Sequence, residues 1–507
     1  MTSSARYARR MRKLLPALAT AALLSAVATN AHAAVVPVTN VAELRAAITA
    51  AKAGDEIVLA AGTYAMGDIA CSANGTSAAP IVVRAATPLT AKIELSGLEG
   101  FKVSGAHWHF EGLSIKGVCA TDDACEHAFH VTGGASGFVL RKNVIVDFNA
   151  QLKANTTLGA TPVTPHAGLV EYNELYDTHV RSTELPVTKL NIDTGDDWIV
   201  RGNYIHDFFR PTGVTYGAFM KSGGKRGLFE RNLVVCKKDV AATGAQIGLS
   251  FGGGGTGNAF CAPAFSAGVP CLVEHEGGTM RNNVIASCSD VGIYLNRSKA
   301  TKLLHNTLAG TTGIDFRFET SSGEARGNLL SGEIRARNGA MAPTVSDGLI
   351  VTDAELGAMF VGPLVGDLRK KGDLAKLLGK APARTDVPDD WCARARSAPY
   401  DIGALQHSLG DCASTTPPSG GAGAPDGGAG PGDGGGGPTG GGASTDGGGG
   451  APTPSPGAGP DGDAGSEAGE SGCNVGVGAV GSSRALLVAL ASVFGLGLCR
   501  RRRALGR

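Results

Sequence analysis

An excess of charge of either sign is missing from this sequence. It carries 46 Lys and Arg against 45 Asp and Glu, a formal +1. Eleven of the basic residues lie near the two termini and seven of the acidic ones in a Gly-rich tail, which leaves 35 basic and 38 acidic residues over 34–412. No bulk positive field exists to recruit nucleic acid, so any anionic ligand must meet a local patch. Aromatic residues are few, at 5%. The longest C-terminal apolar run, Ala485 to Cys499, is fifteen residues and short for a full membrane span. Gly252 to Gly255 lacks the Lys-Ser/Thr ending of a phosphate loop. The cysteine spacings do not resemble a zinc site, and helical periodicity is almost absent from the middle of the chain.

What is present is a ladder of four-residue segments that read apolar, polar, apolar, polar. They are Phe129–Thr132, Ala150–Lys153, Leu190–Asp193, Ala218–Lys221, Ile247–Ser250, Ile293–Asn296, Ile314–Arg317 and Ile334–Arg337, with Phe101–Ser104 before them. Alternation with period two marks a half-buried strand, and the series predicts stacked coils. Outward positions then form two columns on one face. One runs Thr132, Lys153, Asp193, Lys221, Ser250, Asn296, Arg317, Arg337; the other runs His130, Gln151, Asn191, Phe219, Gly248, Tyr294, Asp315, Arg335.

A second repeat supports the coils. Asn143, Asn173, Asn203, Asn232, Asn283, Asn306 and Asn328 recur at gaps of 30, 30, 29, 51, 23 and 22 residues. Self-similarity at such periods marks a solenoid. Short strands with Gly/Asn turns select a parallel β-helix, in which a buried turn Asn stacks on the next. The long gap predicts an extra loop from Phe251 to about Gly277. Val41 to Ala51 reads as an amphipathic helix N-capped by Asn40, placed to cover the open end of the solenoid.

The chain divides into four parts. Residues 1–33 have a basic start, an apolar stretch and Ala31-His32-Ala33, the pattern of a secretory signal peptide. Residues 34–412 form the β-helix domain. Residues 413–470 are a Gly/Pro/Ser/Asp linker expected to be disordered. Residues 471–507 hold Cys473, a short apolar helix and Arg500–Arg503. Export permits disulfides, expected as Cys236–Cys288, Cys261–Cys271, Cys392–Cys412 and Cys119–Cys125, with Cys71 left over. The C-terminal segment resembles the tripartite sorting tags of myxobacterial surface proteins. That resemblance implies cell-surface or outer-membrane attachment, with Cys473 as the lipid site; a simple membrane anchor is the alternative.

The segments Val38–Leu44, Gly62-Thr63-Tyr64 and Ala79–Ala85, with Tyr400-Asp401-Ile402-Gly403-Ala404 as a closing motif, resemble the right-handed parallel β-helix superfamily of pectin-lyase-like proteins. The nearest resemblance is to polysaccharide lyase family six, the alginate lyases and chondroitinase B. It implies an all-β, monomeric protein that acts on an acidic polysaccharide by β-elimination. Phe219-Met220-Lys221-Ser222-Gly223 resembles the segment carrying that family's lysine base, which places the base at Lys221. The family's arginine would fall at Ser250, and its calcium-binding glutamates at Val214 and Tyr216, so both departures are visible in the sequence. From the ladder, Lys153 and His130 are further catalytic candidates. Asp193, Asn191, Tyr294, Asn296, Arg297 and Arg317 are candidate sugar contacts. Either no cofactor is required or Ca²⁺ sits at Asp193, Asp196 and Asp197, whose carboxylates suit a hard cation. Glu274-His275-Glu276 reads as loop charge or as an acid beside the site. A non-catalytic glycan-binding or cell-contact protein and a uronan epimerase are the competing functions.

Overall fold

The computed structural model describes residues 34–241, 244–253 and 256–412. The expected signal peptide, linker, Cys473 and C-terminal tag lie outside them. Among the described residues no helix is long and apolar enough to cross a membrane.

The domain is the expected parallel β-helix. Three parallel sheets of twelve, eight and eleven strands run along it, and each of the eight central coils contributes one strand to each sheet. One coil, for example, gives Val139–Arg141, Val144–Val146 and Ala150–Asn155 in turn. The eight-stranded sheet carries the ladder. Its strands are β1 (His127–Thr132), β2 (Ala150–Asn155), β3 (Thr188–Asp193), β4 (Val214–Lys221), β5 (Ala245–Phe251), β6 (Ile293–Asn296), β7 (Gly313–Arg317) and β8 (Glu333–Arg337). Phe101–Val103 instead pairs with Ile69–Cys71 at the N-terminal end of the stack.

The seven-Asn ladder forms as the spacing predicts. Each residue from Asn143 to Asn306 donates through Nδ2 to the Oδ1 of the next Asn at 2.9–3.0 Å. The same Oδ1 accepts the backbone N–H of the preceding rung, so the buried turn satisfies its own polar groups. The residue before each Asn is in the left-handed region, as at Lys142 (φ 57°) and Gly202 (φ 60°). That bend turns the chain from one sheet to the next within two residues.

Helix α1 (Val41–Ala50) covers the N-terminal end. Asn40 accepts from the Glu43 N–H at 3.0 Å, and Leu44 and Ile48 join the solenoid core. All four expected disulfides form, and Cys71 is free and buried.

Three expectations need correction. Strand structure runs from Val35 to Lys370, wider than the span of about 54 to 337 that the entry strand and the ladder predict. Residues beyond the last coil, including helix α2 (Asp353–Met359), do not extend the stack. Leu356, Phe360, Leu377 and Trp391 form a second core against the outer side of the eleven-stranded sheet, over Leu233, Val284 and Leu329. The Tyr400–Ala404 motif therefore lies along the side of the coils: Gly403 N donates to Gly327 O, and Ala404 N to Thr307 Oγ1.

The third correction is the register of β2 and β5. Lys153 faces Asn191 and Phe219 faces Ser250, so both strands are shifted by two residues from the simple alignment. Ile192, Met220 and Leu295 share one inner column. Leu152 and Leu249 stand in the neighbouring one, with Leu190, Ala218 and Ile293. A two-residue slip leaves the inward and outward faces unchanged, so alternation alone cannot detect it.

Candidate active site

The corrected register sets the outer face. One column reads His130, Lys153, Asn191, Phe219, Ser250, Tyr294, Asp315, Arg335. The other runs from Thr132 and Asn155 to Asp193 and Lys221, and resumes at Asn296, Arg317 and Arg337. Alternation also breaks near the start of these strands. Gln151 turns inward and donates to Tyr176 O, and a Cβ on Gly248 would meet the core side chain of Ile285. Tyr216 swings out instead and meets the Phe219 ring at 5.4 Å. Ile247 likewise sits outside the main core, with Val291 and Tyr294. These residues give the floor an apolar, partly aromatic patch beside its charges.

Lys153, Asp193 and Lys221 are brought together at the centre. Lys153 Nζ donates to Asn191 Oδ1 at 3.1 Å and pairs with Asp193 Oδ2. Lys221 Nζ lies 3.5 Å from Asp193 Oδ1 and 4.7 Å from the centre of the Phe219 ring. Each carboxylate oxygen thus faces one ammonium. Burial works to raise the Asp193 carboxyl, and the two lysines outweigh it, holding it below its ordinary value.

The sequence undervalued Glu274. It is 1% exposed, not a loop charge in solvent. It accepts from Ser222 N at 3.1 Å and from Thr256 Oγ1 at 2.7 Å. Burial raises its carboxyl, and the Lys221 charge is the largest opposing influence. Lys221 therefore acts electrostatically on a carboxylate to either side, Asp193 and Glu274. His275 is also buried, stacked on Phe251 at 4.1 Å. The long loop covers this region: Gly253 approaches the Lys221 and Phe219 side chains, and Ala262 N donates to Ser222 O.

The remaining candidates spread along the face. Tyr294 accepts from Asn296 Nδ2 at 3.2 Å and from Arg317 at 3.4 Å. Arg297 and Arg317 both stand over Phe318, at 4.8 and 4.9 Å from its ring. Arg335 and Arg337 converge on the buried Asp315. This end of the face is cationic. At the other end His130 bonds Glu99 at 2.8 Å and Asn155 at 2.7 Å.

The expected calcium ligands do not fit that ion. Arg226 binds Asp197 at 2.7 Å and Asp196 at 3.2 Å, while Asp193 is shared by the two lysines. Calcium takes six to eight oxygens, and Asp193, the buried member of the set, already shares both of its carboxylate oxygens with lysines.

Residues 38–186 match the family model described as Chondroitinase B. The domain is a parallel β-helix whose N-terminal part resembles chondroitinase B. The matched stretch includes His130 and Lys153 but ends before Asn191, Asp193 and Lys221. Among solved structures, the alginate lyase AlyF-OU02 is 19% identical with a TM-score of 0.41, and the match covers 60% of each chain. The chain thus spans less than two thirds of that lyase. The pectate lyase Pel9A is 14% identical, with 71% of this chain and 90% of that chain covered and a TM-score of 0.38. The family-six polysaccharide lyase Pedsa3628 from Pseudopedobacter saltans is 13% identical, with 63% and 93% covered and a TM-score of 0.34. No curated protein matches the chain.

Proposed function

We propose that the domain binds an acidic polysaccharide along β1–β8 and cleaves a uronic-acid glycan by β-elimination. The observation that carries this reading is the Lys153–Asp193–Lys221 cluster, set beside an aromatic patch on the outer face of the coils. Coils stack about 4.8 Å apart, a spacing that lets one sugar unit meet neighbouring coils. In the reaction, Lys221, once it has given up its own proton, takes the proton from the carbon next to the uronate carboxylate. The released electron pair forms the C=C bond as the C–O bond to the departing sugar breaks, and the Lys153 ammonium returns a proton to that oxygen. Asp193 holds both amines in place, and the distal arginines provide further contacts for a polyanion. The protein works outside the cell, held at the surface through its C-terminal segment.

A non-catalytic glycan-binding role is favoured by one feature. Asp193 stabilises the charged form of a lysine, which opposes its use as a base. One experiment separates the readings. The purified protein is incubated with alginate, pectate and glycosaminoglycans, and the ultraviolet absorbance of an unsaturated uronate is followed. New absorbance that disappears in Lys221→Ala supports the lyase. Binding without product supports the module, a changed sugar configuration without cleavage an epimerase, and neither binding nor product refutes the glycan reading.

A further inference from the structure

At the N-terminal end of the same face, Glu99, His127 and His130 converge. One ligand atom from each lies within 4.8 Å of the others. Simple alternation puts residues 127 and 130 on opposite faces of a strand, yet their ring centres are 5.1 Å apart. His127 occupies the ladder position that Tyr216 takes three coils on, where the chain also turns outward. His127 is 8% exposed, and its Nδ1 has no hydrogen-bond partner in a buried setting. An unpaired buried polar atom of this kind calls for a ligand. Glu126 adds a second carboxylate, with Oε1 3.6 Å from His127 Nε2.

We propose that Glu99, His127 and His130 bind one divalent transition cation of the zinc or cobalt class. Two imidazoles and one carboxylate are a donor set for such ions, and unlike the oxygen-only sets of calcium and magnesium. The pairing of Glu99 with His130 leaves both side chains close to where the cation would sit. Lys102, which pairs with Glu99, has a half-exposed side chain and can swing into solvent. Three protein ligands leave a position open for water, Glu126 or a bound anion. His130 faces Lys153 across one coil step, so that position lies next to the central cluster. The site does not depend on the glycan reading.

A second grouping, His206, Asp207 and Asp239, provides the control. Asp207 there is already committed to the backbone N–H groups of Lys238, Asp239 and Val240. The full-length chain is stripped with a chelator and titrated with Zn²⁺ by calorimetry and with Co²⁺ by visible absorption. The expected result is one strong site with nitrogen-ligated Co²⁺ bands. His127→Ala and Glu99→Gln should each weaken it by about 100-fold or more, and Asp239→Asn should leave it unchanged. Absence of saturable binding overturns the proposal, as does binding that survives both substitutions. Should His127→Ala fail to fold in a thermal melt, the half-buried Glu99→Gln decides alone.

Discussion

The Asn ladder makes a sharp demand on stability at Asn203. Its Nδ2 donates to Val170 O and to Asn232 Oδ1, and its Oδ1 accepts from both the backbone N and the Nδ2 of Asn173. Asn203 is fully buried. Asn203→Ala removes the acceptor for two donors on one side and the donor to three oxygens, Arg201 O among them, on the other. Asn232 Oδ1 keeps the Asn203 backbone N–H and Asn173 Nδ2 keeps Leu140 O, so the Asn173 N–H and Val170 O are the two groups left without the partner used at this rung. An unsatisfied buried group costs about 1–3 kcal/mol. Relaxation of the turn recovers part of that, so the expected loss is about 3 kcal/mol. Asn203→Asp should cost more. It sets a carboxylate oxygen against Val170 O and Asn232 Oδ1, where no donor remains. Urea denaturation followed by circular dichroism gives the midpoint and slope, and hydrogen exchange at Asn173 N reports local opening. A shift under about 0.5 kcal/mol with unchanged exchange would mean that the ladder bonds carry no net stability.

Three further outcomes follow from the same geometry. Lys221→Ala should abolish product formation and leave the thermal melt within a few degrees of the parent; full turnover would remove Lys221 as the base. Burial holds His275 down to about 3. The unfolded chain therefore binds a proton near pH 6.5 that the folded chain refuses, so stability falls by up to about 1.4 kcal/mol per pH unit as pH drops from 6.5 towards 3. His275→Gln should flatten that part of the stability–pH curve, and a parallel curve would contradict the assignment. Breaking Cys236–Cys288 with a double Ser substitution should cost about 2–4 kcal/mol, measured as a lower denaturation midpoint.

Period-two alternation, the Asn spacing and the Asn40 cap determined the solenoid, because each reports a local requirement: a pleated strand, a satisfied buried turn, a capped helix end. Cys236–Cys288 was legible because stacked coils bring like positions together, and the other three disulfides because their cysteines lie 6, 10 and 20 residues apart. The central cluster was readable too, because Asp193 and Lys221 share a column in any alignment that keeps their two strands in step. Only the tertiary structure decided the rest. The slip of β2 and β5 moved Lys153 beside Asn191, a change invisible to alternation because a two-residue shift keeps every side chain on its face. The break in alternation near Gln151 and Gly248 brought His127 round to His130 and Tyr216 to Phe219. The burial of Glu274 and the packing of residues beyond 351 along the side of the coils depend on contacts between segments far apart in sequence. Away from such breaks, local pattern fixes which way a side chain points. What it meets there depends on which distant segment covers it.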